Sequence, residues 1–321
     1  MGAILGFAAH RAGLCTVKAA AELLTSHRGH VLWSFLKSAG WVMALTAVVG
    51  AFGHATTFTR WPLTGLSVLG GVLFGIGAAL NGGCTFSTLT RAMDGSIGLW
   101  ITVAAWPIGM WIATVLPMSR PMPVVTPQQD YPYVVLLLLF IALLWESIRI
   151  AKRFWRKHKL HRILGASVYT LSAGAALIGI CNVVIIEATG PWSFSSNILC
   201  GIGTKSGASC AQPALAWGIM EAALLGMVFS SLQRGSFKLR LPRPRSALRH
   251  GAGGVLMGIG TVLVPGGNDG MILFAIPSLS PHALPAYAGV FGGIMATLAI
   301  MRAFGRRILP VLCNGDICRV L

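Results

Sequence analysis

Long apolar stretches with few charges run through the whole chain, and they constrain its fold more than any other feature. A helix needs roughly 20 mostly apolar residues to cross a bilayer. Such stretches, two of them short, lie at 1–13, 31–53, 64–81, 97–117, 132–148, 163–187, 212–232, 251–265 and 285–301. No region shows the period-two alternation of barrel strands. The sequence therefore predicts an all-α polytopic membrane protein with about nine spans.

The composition excludes several classes of protein. Charged residues make up 10% of the chain and hydrophobic residues 55%, whereas about 25% of an ordinary soluble domain is charged. An ordinary soluble enzyme is therefore excluded, and so is a disordered chain, which needs low hydrophobicity. The 25 Lys and Arg exceed the 8 Asp and Glu, but a nucleic-acid binder would gather this charge on one soluble surface. We expect the lipid bilayer as a partner and no nucleic acid.

The basic residues are clustered between the spans. They concentrate in the loops 149–162 and 234–249 and in the tail 302–321. Cytoplasmic loops of membrane proteins carry an excess of Lys and Arg. Placing these three clusters in the cytoplasm gives a consistent path through every span, so most of the positive charge indicates topology rather than a ligand site.

Two glycine-rich segments repeat each other. Residues 70–83 read GGVLFGIGAALNGG, and residues 253–267 read GGVLMGIGTVLVPGG. They predict two halves, 1–131 and 163–301, joined by a linking span and basic loop at 132–162 and followed by the tail. The loop before the first copy is poor in basic residues and the loop before the second is rich, so the repeat is inverted. Such repeats are typical of transporters, although duplication for packing alone stays open.

Four short segments follow Gly or Pro breaks and are too short to span. They lie at 14–26, 84–94, 192–210 and 268–279. Irregular backbone at membrane depth needs protein or water around it. We therefore predict short re-entrant helices, entering as one pair from each side, and an hourglass-like fold with a narrow waist.

Cysteines stand at two of these breaks. Cys15 and Cys84 each begin a predicted helix, and Gly83 and Thr85 flank Cys84. Helix starts favour anions because their N–H groups are free, and a thiol suits a sulfur-bearing anion. A small buried apolar role is the alternative for each cysteine.

Further candidates for the substrate path are basic or polar residues. Arg11, Lys18, Arg91 and Lys205 are basic residues that topology does not explain, and intramembrane charges often mark function. Cys210 precedes a predicted helix start, and Asn268 occupies the place of Cys84 in the second repeat. Cys313 and Cys318 flank NGDI in the tail, a spacing that is no zinc framework without partners. We predict no metal site and no cofactor.

The segments HRAGLCTVKAA and GGVLFGIGAALNGGCTFSTLTRAMDG, with the second GGVLMGIG copy, resemble the YeeE/YedE sulfur-transport family. The resemblance implies a bacterial inner-membrane protein that takes up thiosulfate, with thiols passing the ion along a narrow path. Cys15 and Cys84 match the first two family cysteines, and Asn268 stands in place of the third. It also implies a TusA-like sulfur carrier as a partner. Other members are linked to selenium or to other sulfur compounds, so these substrates stay open.

Two other functions compete with transport. A membrane sulfurtransferase or thiol oxidoreductase would form a persulfide on Cys84 and would usually need a resolving thiol. The chain has no Cys-x-x-Cys pair, so we predict that the protein is not an enzyme. A purely structural subunit is disfavoured because broken helices and buried polar residues are costly without a substrate path.

Overall fold

The computed structural model describes residues 1–52, 57–116, 123–127, 133–157, 166–202, 212–306, 308, 310–314 and 316–320. The helices of the first part are α1 (Gly2–Ala12), α2 (Thr16–Ser26), α3 (His30–Ala51), α4 (Gly65–Asn81), α5 (Thr85–Met93), α6 (Ile97–Val115) and α7 (Tyr133–Lys157). Those of the second part are α8 (Leu171–Thr189), α9 (Phe194–Ile202), α10 (Pro213–Arg234), α11 (Pro244–Leu263), α12 (Gly267–Gly270), which continues as π-helix over Met271–Ala275, and α13 (Ala283–Ala303).

The protein is an all-α polytopic membrane protein. Among the described residues seven segments are long and apolar enough to cross a membrane, with α4 and α5 counted as one segment and α8 and α9 as another. An eighth is added if α11 and α12, bent by 42°, form one span. The short predicted span at 1–13 is the 11-residue helix α1, about 16 Å long at 1.5 Å per residue. This helix is too short to cross alone, and it accounts for the difference from the predicted number of about nine.

The four predicted breaks are real interruptions between helices. Each contains a glycine in the left-handed region, with φ 59° at Gly13, 78° at Gly82, 77° at Gly190 and 93° at Gly266. A side chain would be strained in this conformation. The preceding helix therefore ends at each glycine and a new short helix follows, namely α2, α5, α9 or α12. The predicted segment 192–210 runs partly outside the described residues.

The two glycine-rich copies pack against each other. A Cβ at Gly77 would lie 2.6 Å from the carbonyl oxygen of Gly253, and one at Gly260 would lie 2.7 Å from that of Gly70. The first glycine of each copy thus meets the fourth glycine of the other, so α4 and α11 cross antiparallel. Small residues at such a crossing let two backbones approach closely.

The outer faces of the two copies repeat the same packing with different partners. Gly75 on α4 packs against the carbonyl oxygen of Val290 on α13, and Gly258 on α11 packs against that of Trp106 on α6. The α4–α13 and α11–α6 contacts therefore have the same geometry. The four helices α6, α11, α4 and α13 form one continuous, closely packed layer.

A two-stranded hairpin closes the C-terminal end of the described chain. Strands β3 (Val311–Asn314) and β4 (Ile317–Val320) pair antiparallel, and Cys313 and Cys318 form a disulfide across them. Lys18 donates from Nζ to the carbonyl oxygen of Cys318 over 2.9 Å. The hairpin is thereby held against α2, the helix that begins after Cys15. A second small sheet pairs strands β1 (Thr57–Arg60) and β2 (Val124–Pro127) antiparallel.

Candidate functional site

Two cysteines occupy the starts of two short helices and face each other. Cys15 is the N-cap of α2 and Cys84 is the N-cap of α5, and neither side chain caps its own helix. The backbone N–H of Thr16 donates to Cys84 Sγ over 3.3 Å, and the two thiols lie within interaction range of each other. The first amide of α2 therefore points at the Cys84 sulfur. The start of α2, which favours anions, and the Cys84 thiol thus lie at the same point.

Asn268 joins this pair from the second half of the chain. The Thr16 hydroxyl donates to Asn268 Oδ1 over 3.2 Å. Cys84, Thr16 and Asn268 are all fully buried, and Cys15 is 6% exposed. The sequence prediction placed Cys84 and Asn268 at matching points of the repeat, and the structure brings both to the same place.

Several buried donors around these residues have no hydrogen-bond partner within the described structure. They are Thr85 Oγ1, Asn268 Nδ2 and Tyr287 Oη. The Tyr287 hydroxyl lies near Thr16, and its electrostatic neighbours include both thiols. A buried polar group without a partner is costly, and three in one place indicate a position for a polar ligand. We call Cys15, Cys84, Thr85, Asn268 and Tyr287 the polar constriction.

One carboxylate lies beside the polar constriction. Asp269 is fully buried and accepts hydrogen bonds from the Ser195 hydroxyl and, over 3.0 Å, from the Ser195 backbone N–H at the start of α9. Thr85 lies near the same carboxylate but outside hydrogen-bonding geometry. The carboxyl group of Asp269 is therefore engaged at the α9 start, while the starts of α2 and α5 have no carboxylate cap.

A cavity of about 650 Å³ leads from Cys15 to one end of the bundle. We call it the basic vestibule, because its walls carry Lys18, Arg91, Arg234, Arg249 and Arg306. Residues of the basic loop 234–249 and of the tail meet there. An array of one sign of charge in a concave site attracts anions.

Asp94 is the one acidic side chain among the described residues of the basic vestibule. Burial opposes its ionisation, but hydrogen bonds from His10, Ser231 and Ser236 outweigh burial and hold the pKa of this carboxyl below its usual range. Asp94 therefore stays ionised, and its charge is directed towards these donors.

The other predicted site residues are placed as follows. Gly83 is buried, and its carbonyl oxygen accepts hydrogen bonds from Asn81 and Thr88, which fixes the backbone before Cys84. Arg11 is not brought to the polar constriction. Its guanidinium binds Ser230, Gln233 and Ala166 and lies over the Phe7 ring, so it joins α1 to α10. Lys205 and Cys210 lie outside the described residues.

Sequence reasoning missed Tyr287 and the vestibule residues Arg234, Arg249 and Arg306, although it singled out Lys18 and Arg91. Tyr287 carries the one aromatic hydroxyl in its apolar span, and this was the available signal. The arginines were assigned to topology because a count of charges cannot tell which side chains turn into a cavity.

A multi-span membrane protein with a buried thiol-lined constriction opening into a basic cavity belongs to the class of anion transport proteins. The chain belongs to the sulphur transport family, which it matches over residues 11–296. It is 28% identical over 255 residues to the thiosulfate transporter TsuA of Spirochaeta thermophila, covering 67% of this chain and 71% of that protein. It is 25% identical over 315 residues to TsuA of Escherichia coli, covering 86% of each chain. The resemblance to the YeeE/YedE family is thereby confirmed.

Proposed function

We propose that the protein carries thiosulfate, or a closely related small sulfur anion, across the membrane through the polar constriction. The observation that carries this proposal is the meeting of two thiols with three unpartnered buried donors at two helix starts. Neutral donors offset the loss of water around an anion without binding it permanently. Transport of another sulfur or selenium compound by the same path is the alternative.

The halves 1–131 and 163–301 are, in this proposal, an inverted repeat, with 132–162 as the linking span and loop and 302–321 as the tail. The equivalent packing of Gly75 against Val290 and of Gly258 against Trp106 supports it. Transporters of this design place the substrate where the two repeats meet. Cys84 from one half and Asn268 from the other are both hydrogen-bonded to Thr16, which supports this placement.

The proposed location is the bacterial inner membrane, with the basic loops 149–162 and 234–249 in the cytoplasm. The excess of basic residues supports this orientation, and so does the convergence of Arg234, Arg249 and Arg306 on one cavity. The basic vestibule then faces the cytoplasm and receives the anion after the constriction. A TusA-like carrier, implied by the family resemblance, would take sulfur at that side.

The vestibule has an energetic role in inward transport. Moving a dianion against an interior-negative potential costs about 4.6 kcal/mol per 100 mV, at ~2.3 for each charge. Basic side chains at the inner mouth lower the energy of the anion there. The neutral constriction thus offsets the cost of removing water from the anion, and the basic vestibule offsets the cost of its charge.

Arg249→Gln is expected to lower the initial rate of uptake about three- to tenfold, since one charge at a wet surface contributes on the order of 1 kcal/mol. Arg249 contributes to the vestibule wall, and its Nε has no partner among the described residues. Arg245 lies on the same helix, is exposed and does not line the vestibule, so Arg245→Gln is the matched control. Equal rates for both variants would contradict the role of the vestibule.

Asn268→Asp is expected to stop uptake, because it places a carboxylate of nearly the same shape beside the anion path. Asn268→Ala removes the unpartnered Nδ2 and the acceptor of Thr16, and we expect it to lower uptake only about tenfold, or ~1.4 kcal/mol. Uptake of labelled substrate by both variants tests whether Asn268→Asp is the more severely impaired, and gel filtration establishes that both variants fold. A greater loss of uptake in Asn268→Ala than in Asn268→Asp would contradict an anionic substrate at Asn268.

The test of the function is uptake of labelled thiosulfate by bacterial cells that lack their own sulfate and thiosulfate permeases. Cells expressing this chain should accumulate label and grow on thiosulfate, and cells with the empty vector should not. The same cells tested with sulfite, sulfate and selenite define the substrate class. Good expression without thiosulfate uptake would overturn the thiosulfate assignment.

A further inference from the structure

A second cluster of reactive side chains lies away from the polar constriction, where the C-terminal hairpin meets the junction of α2 and α3. Glu22, His30 and Cys313 come together there, with their ligand atoms within 4.8 Å of one another. Glu22 Oε1 is 3.0 Å from His30 Nδ1 and 3.2 Å from Cys313 Sγ. Cys318 is bonded to Cys313 and so brings a second sulfur to the same point.

The surroundings of Glu22 favour a cation at this point. Glu22 is fully buried, and its other described contacts are the backbone N–H groups of His30 and Val31. No lysine or arginine forms a salt bridge with it among the described residues, and its neighbour His30 carries a charge only when protonated. A disulfide sulfur has no hydrogen to donate, so the carboxylate oxygen faces a second electron-rich atom. A buried carboxylate needs a compensating charge.

The compartment decides which chemical state the two sulfurs adopt. The tail lies in the cytoplasm in the proposed orientation, where disulfides are rare because thiols are kept reduced. Reduction by a cellular dithiol converts Cys313–S–S–Cys318 into two thiols and the dithiol into its own disulfide. Two electrons and two protons pass to the hairpin. Cys313 and Cys318 then form a Cys-x4-Cys pair beside a histidine and a glutamate.

We propose that the reduced protein binds one zinc ion through Cys313, Cys318, His30 Nδ1 and Glu22 Oε1. Zinc binds four ligands in structural sites, with bonds of about 2.0–2.3 Å, and cysteine, histidine and carboxylate side chains all serve as its ligands. Pairs of cysteines with two to four residues between them are a usual part of such sites. Binding releases the two thiol protons. The sequence alone does not indicate this site, because the partners of the cysteine pair lie almost 300 residues earlier in the chain.

The position of the site suggests what the zinc ion does. It fastens the hairpin to the end of α2, the helix whose first residues contact Cys84. Val311 of the same hairpin lines the basic vestibule, and Lys18 on α2 holds Cys318. Zinc therefore stabilises the inner wall of the vestibule. His30, whose side chain is 42% exposed, gives the ion access from solvent.

The test uses the purified full-length protein, in detergent, loaded with Zn²⁺ and dialysed, with zinc measured by mass spectrometry of the elements. Reduced wild type should retain one zinc per chain, and the same protein oxidised to the disulfide should retain none. The double variant Cys313→Ser, Cys318→Ser and the variant His30→Ala should lose zinc. Cys181→Ala removes a buried free cysteine elsewhere, and this variant should retain zinc.

Cobalt substitution checks the ligands directly. Reduced wild type loaded with Co²⁺ should show thiolate-to-cobalt charge-transfer bands, and these should disappear in the double serine variant. Equal zinc in reduced and oxidised wild type, or cobalt bound without thiolate bands, would overturn the proposal. The oxidised and reduced samples share one sequence, so a folding defect in a variant leaves the comparison intact. Zinc retention is measured without transport, so its failure is separate from a failure of uptake.

Discussion

Cells expressing Cys84→Ala should show no more thiosulfate uptake than cells with the empty vector, although the variant folds and reaches the membrane. Cys84 is fully buried and receives the first amide of α2, so its sulfur stands where that helix start and the α5 start meet. Alanine removes the sulfur and leaves a small apolar gap among unpartnered donors. A desolvated anion passing this point would lose its thiol contact, and we expect at least a tenfold loss of rate, about 1.4 kcal/mol.

Two companion variants test whether the effect depends on the sulfur atom of Cys84 in particular. Cys84→Ser keeps a small donor but replaces the soft sulfur, and we expect intermediate uptake. Cys181→Ala removes an equally buried free cysteine on α8 and should leave uptake unchanged. Full uptake by well-expressed Cys84→Ala would contradict a path through the polar constriction.

The same variants distinguish transport from sulfur transfer. A thiol that only donates a hydrogen bond to the passing ion leaves no covalent product, whereas a sulfurtransferase leaves a persulfide. Intact-protein mass spectrometry of wild type after exposure to thiosulfate should therefore show no added sulfur. An adduct on Cys84 that is absent from Cys84→Ala would support the enzymatic alternative.

The sequence predicted the breaks between helices well because the signals for a break are local. A glycine at a break reports a backbone conformation, and Gly13 and Gly82 do adopt the left-handed region. The cysteines that follow these turns are placed by the turn itself. Cys15 and Cys84 could therefore be predicted as helix starts without knowledge of their neighbours.

Features that depend on distant partners could not be predicted in the same way. Arg11 was a charge in an apolar segment, and only the fold shows Ser230 and Gln233 satisfying its guanidinium. Tyr287 approaches the thiols because α13 packs on α4, a contact between two segments more than 200 residues apart. Sequence spacing contains no information on such pairings until the repeat is placed in three dimensions.

The duplicated glycine motif gives the second large effect, and it concerns stability. Gly258→Ala is expected to destabilise the protein, although alanine is the better helix former by about 1 kcal/mol. A Cβ at Gly258 would overlap the carbonyl oxygen of Trp106, and one at Gly75 would overlap that of Val290. Backbone atoms cannot turn aside as a side chain can, so helices must separate. We expect a loss of about 3 kcal/mol, the upper part of the range for overpacking.

Gly218→Ala is the matched control, because Gly218 lies within α10 and a Cβ there would meet nothing within 4 Å. It should leave the melting temperature unchanged or raise it slightly, whereas Gly75→Ala and Gly258→Ala should each lower it by about 6 °C or more, at ~2 °C per kcal/mol for a large domain. Thermal unfolding of the three purified variants gives the comparison. Similar losses at Gly75 and Gly258 are required if α4 and α11 hold equivalent positions in an inverted repeat. A loss at one glycine alone would mean that the shared sequence serves two different packings, and the proposed equivalence of the halves would then fail.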